Sequence, residues 1–387
     1  MGLREGAALK RARRCWPGGA RDSCRGTRVS QGAAVRSGVR AGVRAAAPAA
    51  FLRRRGAPTL DHQTPAARPP GGPLSFAPAV RPRAPSHTRR MLRIALPNKG
   101  RLADEARELF ADAGLPARAR GERALTASLG GEFEAIFVRA ADIPEFVADG
   151  AADAGVTGWD LVCESGRALD SLLDLGFGRC RIVVAAREES RVRAVSDIGG
   201  DAGAPPVRVA TVFPFITRRY FAEAGRDVAI APISGAVEIA PHLGIADVIV
   251  DLTSTGSTLK TNGLREVATV LESTARLVAA PGAVAAGGAE PTERQRHVGE
   301  LVTALASVLR ARDKRYVMAN VPRAALDEVK RVLPGLNGPT VIDIMNGGAM
   351  VAVHAVVAAG TIYRTIAQLK ALGGEGILVT RIERLMP

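Results

Sequence analysis

From Leu92 onward, short unbroken apolar runs alternate with longer stretches whose apolar residues recur every three or four positions. The first kind reads as buried strand and the second as amphipathic helix. Leu92–Leu96 predicts a strand and Pro97–Gly100 a turn. Leu102, Ala106, Leu109, Phe110 and Ala113 mark one face of a helix ending before Gly114. Phe133–Val138 predicts a strand, Ala141–Pro144 the entry to a short helix, and Ala154–Gly158 a buried strand running into a turn. Further on, Ile182–Ala185, Val207–Ala210 and Val228–Pro232 read as strands, with a helix through Thr217–Ala224. Ala246–Val250 is another buried strand, ending at Asp251. Arg265–Ala279 is strand-like and long enough to return the chain to the first lobe. Gly282–Gly288 predicts a flexible turn and Thr292–Arg312 a helix. Strands separated by helices imply an α/β architecture with mostly parallel sheets. Two such lobes joined by crossing strands place a ligand in the cleft between them.

A self-contained pattern starts near Tyr316. It reads strand 316–320, helix 323–333, strand 339–345, strand 349–356, helix 361–372 and strand 376–383. This β-α-β-β-α-β order is the ferredoxin-like layout. The expected organisation is a first lobe of residues 91–180 and 269–314, a second lobe of 181–268, and a small C-terminal domain of 315–387.

The net charge of +15 invites a nucleic-acid or membrane partner until its distribution is examined. Residues 1–90 hold 19 Lys/Arg against 3 Asp/Glu, and the remaining 297 residues hold 34 against 35. The body is close to neutral, so its partners are not read from the overall charge. The Arg-, Ala-, Gly- and Pro-rich extension has little apolar periodicity and is expected to be disordered. It lacks the apolar core of a secretory signal, and its composition fits an organellar transit peptide or upstream sequence read through ahead of a start at Met91. A nucleic-acid-binding arm is a third reading, weakened by the scarcity of aromatic residues for base stacking. Cys163 and Cys180 in the body form no Cys-x-x-Cys pair and sit in apolar or Gly-rich sequence, as expected of a reduced intracellular protein. No apolar stretch reaches membrane-spanning length free of charge. The histidines form no metal or nucleophile grouping, and no Gly-x-Ser-x-Gly, His-Glu-x-x-His or lysine-containing phosphate loop is present.

The densest chemistry lies at Asp251-Leu-Thr-Ser-Thr-Gly256-Ser-Thr258-Leu259, five hydroxyl residues around one glycine after a buried strand. A glycine at positive φ lets successive N–H groups point into one concavity, and hydroxyls at its rim suit a phosphate. An acid at the strand end is placed for sugar hydroxyls, so phosphate and ribose together suggest a phosphoribosyl ligand. An ordinary turn and helix cap is the bland alternative. Lys99, Gly100 and Arg101, just past the first strand, suit a di- or triphosphate or are a solvated basic turn. The same choice applies to Arg139. Asp160 is either the N-cap of the next helix or a ligand contact, Glu238 an exposed helix carboxylate or a contact to ligand or metal, and Ser254 a rim hydroxyl or one folded back on its loop.

The frame from Glu238 through Gly244, Asp247 and Asp251 to Leu259 resembles the signature of the ATP phosphoribosyltransferases, which open histidine biosynthesis. Leu92–Leu102, Gly155–Leu161 and Arg208–Pro214 match as well, so the resemblance runs from Met91 to the C-terminus. It implies a bilobal catalytic core like the periplasmic solute-binding proteins and a C-terminal regulatory domain, as in the long-form enzymes. It also implies transfer of phosphoribosyl from phosphoribosyl pyrophosphate to N1 of ATP with Mg²⁺ as cofactor, in a cytoplasmic homo-oligomer of two to six subunits. On this basis Asp251 and Lys99 are the expected catalytic residues. Gly100, Arg101, Arg139, Asp160, Glu238, Ser254, Thr255, Gly256, Ser257, Thr258 and Leu259 are the expected substrate contacts, and the metal ligands stay unassigned. L-histidine is implied as a feedback inhibitor at Asn320, Leu336, Thr340 and Gly376. Asn320 stands where some relatives have Asp, which puts an ionic contact to the histidine amine in doubt. A non-catalytic two-lobed binding protein is the runner-up, and it has no need of a phosphate cradle.

Overall fold

The computed structural model describes residues 91–119, 121, 124–199, 205–285, 290–345 and 348–386. The basic extension 1–90 and positions 286–289 of the expected glycine-rich turn lie outside the described residues. The chain opens with β1 (Leu92–Pro97), whose Leu92, Ile94, Ala95 and Leu96 are buried. Helix α1 (Arg101–Asp112) follows Gly100, which stands at φ 82, and buries Ala103, Ala106, Leu109 and Phe110 on one face. Then come β2 (Arg118–Ala119), β3 (Thr126–Gly130), β4 (Phe133–Val138), α2 (Ile143–Ala148), β5 (Ala154–Gly158), α3 (Trp159–Ser165) and β6 (Asp170–Asp174).

The chain next builds a second sheet from β7 (Cys180–Arg187), β8 (Val207–Thr211), α4 (Pro214–Glu223), β9 (Val228–Pro232), β10 (Val248–Thr253), α5 (Ser257–Thr261) and β11 (Leu264–Ser273). It returns to the first sheet through β12 (Ala275–Ala279) and α6 (Glu293–Arg312), whose N-cap Thr292 forms a capping box with Gln295. The expected strand Arg265–Ala279 is thus two strands, broken at Thr274 where the chain passes from one sheet to the other. The first sheet has the order β2-β3-β4-β1-β5-β12-β6 and the second β11-β7-β10-β8-β9.

Both sheets are mixed, which corrects the expectation of mostly parallel ones. Parallel pairing joins β4 to β1, β1 to β5, β10 to β8 and β8 to β9, and the other pairs are antiparallel. The cause is the double crossing: the outgoing β7 and returning β11 run side by side in opposite directions, and β12 re-enters the first sheet against β5. Three strands escaped the sequence pattern. Only Ala127 and Leu129 of β3 are buried, β2 is exposed, and no residue of β6 is fully buried.

One face of the first sheet packs α1 and α6 around Ile94, Leu96, Phe110, Leu301 and Leu305. The other face shares a core with the second sheet, in which Ala95, Ile143, Trp159 and Val162 meet Ile182, Val184, Ile216 and Phe221. The C-terminal part has the β-α-β-β-α-β order expected: β13 (Lys314–Pro322), α7 (Leu326–Val332), β14 (Thr340–Asp343), β15 (Met350–Ala358), α8 (Ile362–Ala371) and β16 (Glu375–Arg381). Its sheet, β14-β15-β13-β16, is antiparallel and buries Val317, Ala319, Val321, Val351 and Val353 with Val329 and Leu369 of the helices. No helix among the described residues is long and apolar enough to cross a membrane.

Candidate active site

The hydroxyl-rich loop leaves β10 at Thr253 and turns at Gly256, which stands at φ 77 and ψ 0. Buried Thr253 accepts the Gly256 N–H on its hydroxyl at 2.9 Å, which fixes the turn from inside. At the rim, the Thr255 and Ser257 hydroxyls lie 2.9 Å apart, and the Ser257 N–H donates to Thr255 Oγ1 at 3.4 Å. Ser254, Thr255, Ser257 and Thr258 are exposed, and Leu259 is buried as the anchor of α5. At the start of α5 the N–H groups of Thr258 and Leu259 have no intrahelical acceptor. Because α5 is only five residues long, the cradle rests on loop geometry rather than on a helix dipole. Behind it, a Cβ on Gly256 would lie 3.3 Å from Glu266 Oε1, and Glu266 is held by a bidentate pair with Arg181 at 2.9 and 3.0 Å.

Asp251 precedes the loop on β10. Burial pushes its carboxyl up from the ordinary aspartate range; the Leu252 N–H at 2.7 Å opposes that shift, and the negative charge of Glu238 adds to it. The charge of Glu238 is felt at Asp251, although the two stand 13 positions apart in sequence. Glu238 lies in a single 3₁₀ turn, Val237–Ile239, entered through Ala236 at φ 49. Ala236 has the only left-handed backbone among the described non-glycine residues, a conformation that costs energy for a Cβ-bearing residue. Among the described residues no group of three or more His, Cys, Asp or Glu is arranged to hold a metal ion. The Asp251–Glu238 pair offers the two carboxylates typical of Mg²⁺ sites completed by substrate phosphates and water.

The crossing between the sheets lies beside the loop. Thr253 pairs with Arg181 in the β10–β7 register, and the residue before Arg181, Cys180, pairs with Ser273 of β11. Ser273 in turn holds buried Asp160, donating its hydroxyl to Oδ1 at 2.6 Å and accepting the Asp160 N–H at 3.0 Å. Gly158, not Asp160, caps α3, so the capping alternative for Asp160 does not hold. Cys180, expected in apolar or Gly-rich surroundings, has polar neighbours. Its thiol bonds to Ser273, feels the charges of Asp160 and Arg101, and is pushed up to about 11, chiefly by burial.

Lys99 and Arg139 follow the C-terminal ends of the parallel strands β1 and β4, and Gly158 is the last residue of the adjacent β5. Lys99 and Arg139 are exposed, and Arg101 reaches Glu105 at 3.4 Å one helical turn on. The charge of Arg101 at Cys180 ties this edge to the crossing. In the C-terminal sheet, Asn320 and Gly376 are neighbours, since a Cβ on Gly376 would lie 3.5 Å from Asn320 Nδ2. Thr340 pairs with His354, itself opposite Met318 and bonded to Tyr316 at 2.7 Å. Thr340 therefore lies on the edge strand β14, whereas Asn320 and Gly376 lie on β13 and β16, and Leu336 is exposed in the segment before β14.

The site depends on residues that sequence reasoning did not single out. Ser273 lies inside the expected strand Arg265–Ala279, and its local sequence carries no sign of the crossing. Glu164 of α3 gave no sign either, yet its carboxylate accepts the N–H groups of Phe215 and Ile216 at 2.9 and 3.0 Å and so caps α4 from the other lobe.

Residues 139–307 match the family profile of ATP phosphoribosyltransferase, and 311–384 that family's C-terminal domain. An ATP phosphoribosyltransferase of Gemmatimonas aurantiaca is 71% identical over 297 residues, covering 77% of this chain and 100% of its own length. One of Haloarcula marismortui is 50% identical over 297 residues, covering 76% and 100%. Among solved structures, the ATP phosphoribosyl transferase HisG:HisZ complex of Thermotoga maritima aligns with TM-score 0.48 and 27% identity, over 57% of this chain and 99% of that one.

Proposed function

The chain belongs to the ATP phosphoribosyltransferase family, and we propose that its loop 251–259 holds phosphoribosyl pyrophosphate for attack by ATP. The reaction is the first step of histidine biosynthesis. N1 of the adenine ring forms a bond to C1′ while the bond from C1′ to pyrophosphate breaks. N1 brings its own lone pair, so no general base is required. The difficulty is electrostatic: two polyanions meet and a pyrophosphate departs.

The observation that carries the assignment is the loop itself, a Gly256 turn locked by Thr253 and rimmed by exposed hydroxyls, with Asp251 and Glu238 beside it. Thr255, Gly256, Ser257, Thr258 and Leu259 enclose the 5′-phosphate, with Ser254 at the rim, and Asp251 receives the ribose hydroxyls. Bound Mg²⁺ would neutralise phosphate charge, held by Asp251 and Glu238. Lys99, Gly100, Arg101 and Arg139, at the strand ends of the first lobe, receive the phosphates of ATP and the leaving group. Asp160 acts from the crossing, where its bonds to Ser273 hold it in place.

The C-terminal domain is read as the histidine sensor, in a cytoplasmic homo-oligomer. The separation of Asn320 and Gly376 from Thr340 across the sheet of one chain suits an effector site completed by a neighbouring subunit. Incubation with ATP, phosphoribosyl pyrophosphate and Mg²⁺ is expected to release pyrophosphate only when both substrates are present. Absence of release under those conditions would overturn the reading.

A further inference from the structure

Arg312, Arg315, Arg381 and Arg384 border one cavity of about 680 Å³, between the C-terminal ends of α1 and α6 and one end of the β13–β16 pair. Two of these arginines oppose each other directly, since Arg315 and Arg381 are partners in the antiparallel register. Like charges directly opposite on a sheet are destabilising. None of the four has a carboxylate within ion-pairing distance among the described residues. Arg315 donates instead to the carbonyls of Arg312 and Lys314, at 3.3 and 2.7 Å. The tail that carries Arg384 is pinned by the Leu385 N–H to the Ser307 carbonyl at 2.9 Å. Gly114, at φ 78, has no Cβ to obstruct the Arg384 guanidinium lying against it.

A helix C-terminus attracts cations, which accounts for Arg312 at the end of α6 and for Arg384 beside the end of α1. It does not account for the opposed pair Arg315 and Arg381. Glu108, Asp112 and Glu383 also border the cavity, leaving the arginines in excess by one charge. We propose that this cavity is a second binding site, for a polyanion of the phosphate class: an inorganic di- or triphosphate, or the phosphate tail of a nucleotide. Guanidinium groups recognise phosphate through paired N–H donors, and the volume suits a small ligand. The site is separate from the catalytic cleft. Arg101 stands at the first turn of α1 and Asp112 at its last, about 16 Å further along the helix. A ligand held there touches the first lobe and the C-terminal sheet together.

Calorimetric titration of the full chain with inorganic tripolyphosphate tests the proposal, with Gly256→Val as background to disable the phosphate loop. Binding is expected to persist in that background and to weaken at least tenfold when Arg315→Gln and Arg381→Gln are added. If the double change impairs folding, Arg384→Gln alone carries the test, with at least threefold weakening expected. A parallel titration with ATP separates the sources, because an arginine-dependent site that takes ATP more tightly than tripolyphosphate is a nucleotide site. Binding that vanishes in Gly256→Val, or that ignores every arginine substitution, would overturn the proposal.

Discussion

Ser273 and Asp160, 113 residues apart in sequence, share two hydrogen bonds, with the Ser273 hydroxyl donating to the carboxylate at 2.6 Å and accepting the Asp160 N–H at 3.0 Å. Both residues are buried, and together they fasten the start of α3 to the strand that returns from the second sheet. Ser273→Ala leaves a buried carboxylate oxygen and an N–H without that partner. Leaving buried polar groups unsatisfied costs about 1–3 kcal/mol each, and more for a charged group. Urea unfolding is expected to show a loss in that range, with an unchanged slope. A variant as stable as the parent would mean that the crossing does not depend on this contact.

The phosphate loop offers a comparison between its frame and its rim. Thr253→Val removes the buried acceptor of the Gly256 N–H while keeping the β-branched shape, whereas Thr258→Ala removes an exposed hydroxyl. Both are expected to raise KM for phosphoribosyl pyrophosphate. A lost bond to a charged group is worth about 1.5–3 kcal/mol, or roughly tenfold or more. Only Thr253→Val is expected to lower thermal stability as well. Steady-state kinetics with unchanged constants in both variants would remove the loop from the site.

Asp251 links function to pH. A carboxyl whose folded pKa is raised binds its proton more tightly in the folded chain than in the unfolded one. Its contribution to stability is therefore present below the ordinary value near 3.8 and is lost as pH rises through the higher folded value. Asp251→Asn removes the charge that burial and Glu238 oppose, and keeps an oxygen for the Leu252 N–H. The variant is expected to melt above the parent at neutral pH, to lose that advantage below pH 4, and to lose most transferase activity. A melting difference that grows on acidification would contradict the electrostatic account.

Glu164 ties the two lobes by accepting the N–H groups of Phe215 and Ile216 at the start of α4. Loss of a capping acceptor typically costs about 1 kcal/mol. Glu164→Ala is expected to destabilise by about that amount, and hydrogen exchange is expected to quicken first at Phe215 and Ile216. Uniform exchange across the chain would show that the carboxylate does not hold this end in particular.

The strands that could be located from sequence are those buried on both sides, such as Ala154–Gly158 and Val248–Val250, where a continuous apolar run leaves little choice. Strands such as Thr126–Gly130 and Asp170–Asp174 take their conformation from pairing partners, and their own residues bury too little to announce it. Sheet direction was illegible for a related reason: the crossing at Thr274 looks like the interior of one strand until its two halves are seen in different sheets. The loop 251–259 was legible because its glycine and hydroxyls are contiguous. Ser273 and Glu164 act across 113 and 51 residues, and no local pattern records such contacts.

Histidine control is expected to reside in the C-terminal sheet, and Thr340 gives a selective test of it. Thr340 is an exposed residue at the start of β14, paired with His354 and away from the main C-terminal core. Thr340→Val keeps its branched shape and removes only the hydroxyl, so the sheet is expected to survive. If the hydroxyl meets the effector, inhibition by histidine weakens severalfold while uninhibited turnover stays near that of the parent. Asn320→Asp is the complementary change, because a carboxylate beside Gly376 adds an ionic partner for the histidine amine and is expected to tighten inhibition. Coupling between an effector and a distant active site is typically about 1–3 kcal/mol, so shifts of fivefold or more in the inhibitory concentration are within reach of a single contact. Inhibition curves measured for both variants at fixed substrate decide the matter. If neither curve moves, and histidine still inhibits a chain ending before Tyr316, the effector acts at the catalytic cleft and the C-terminal sheet is not its sensor.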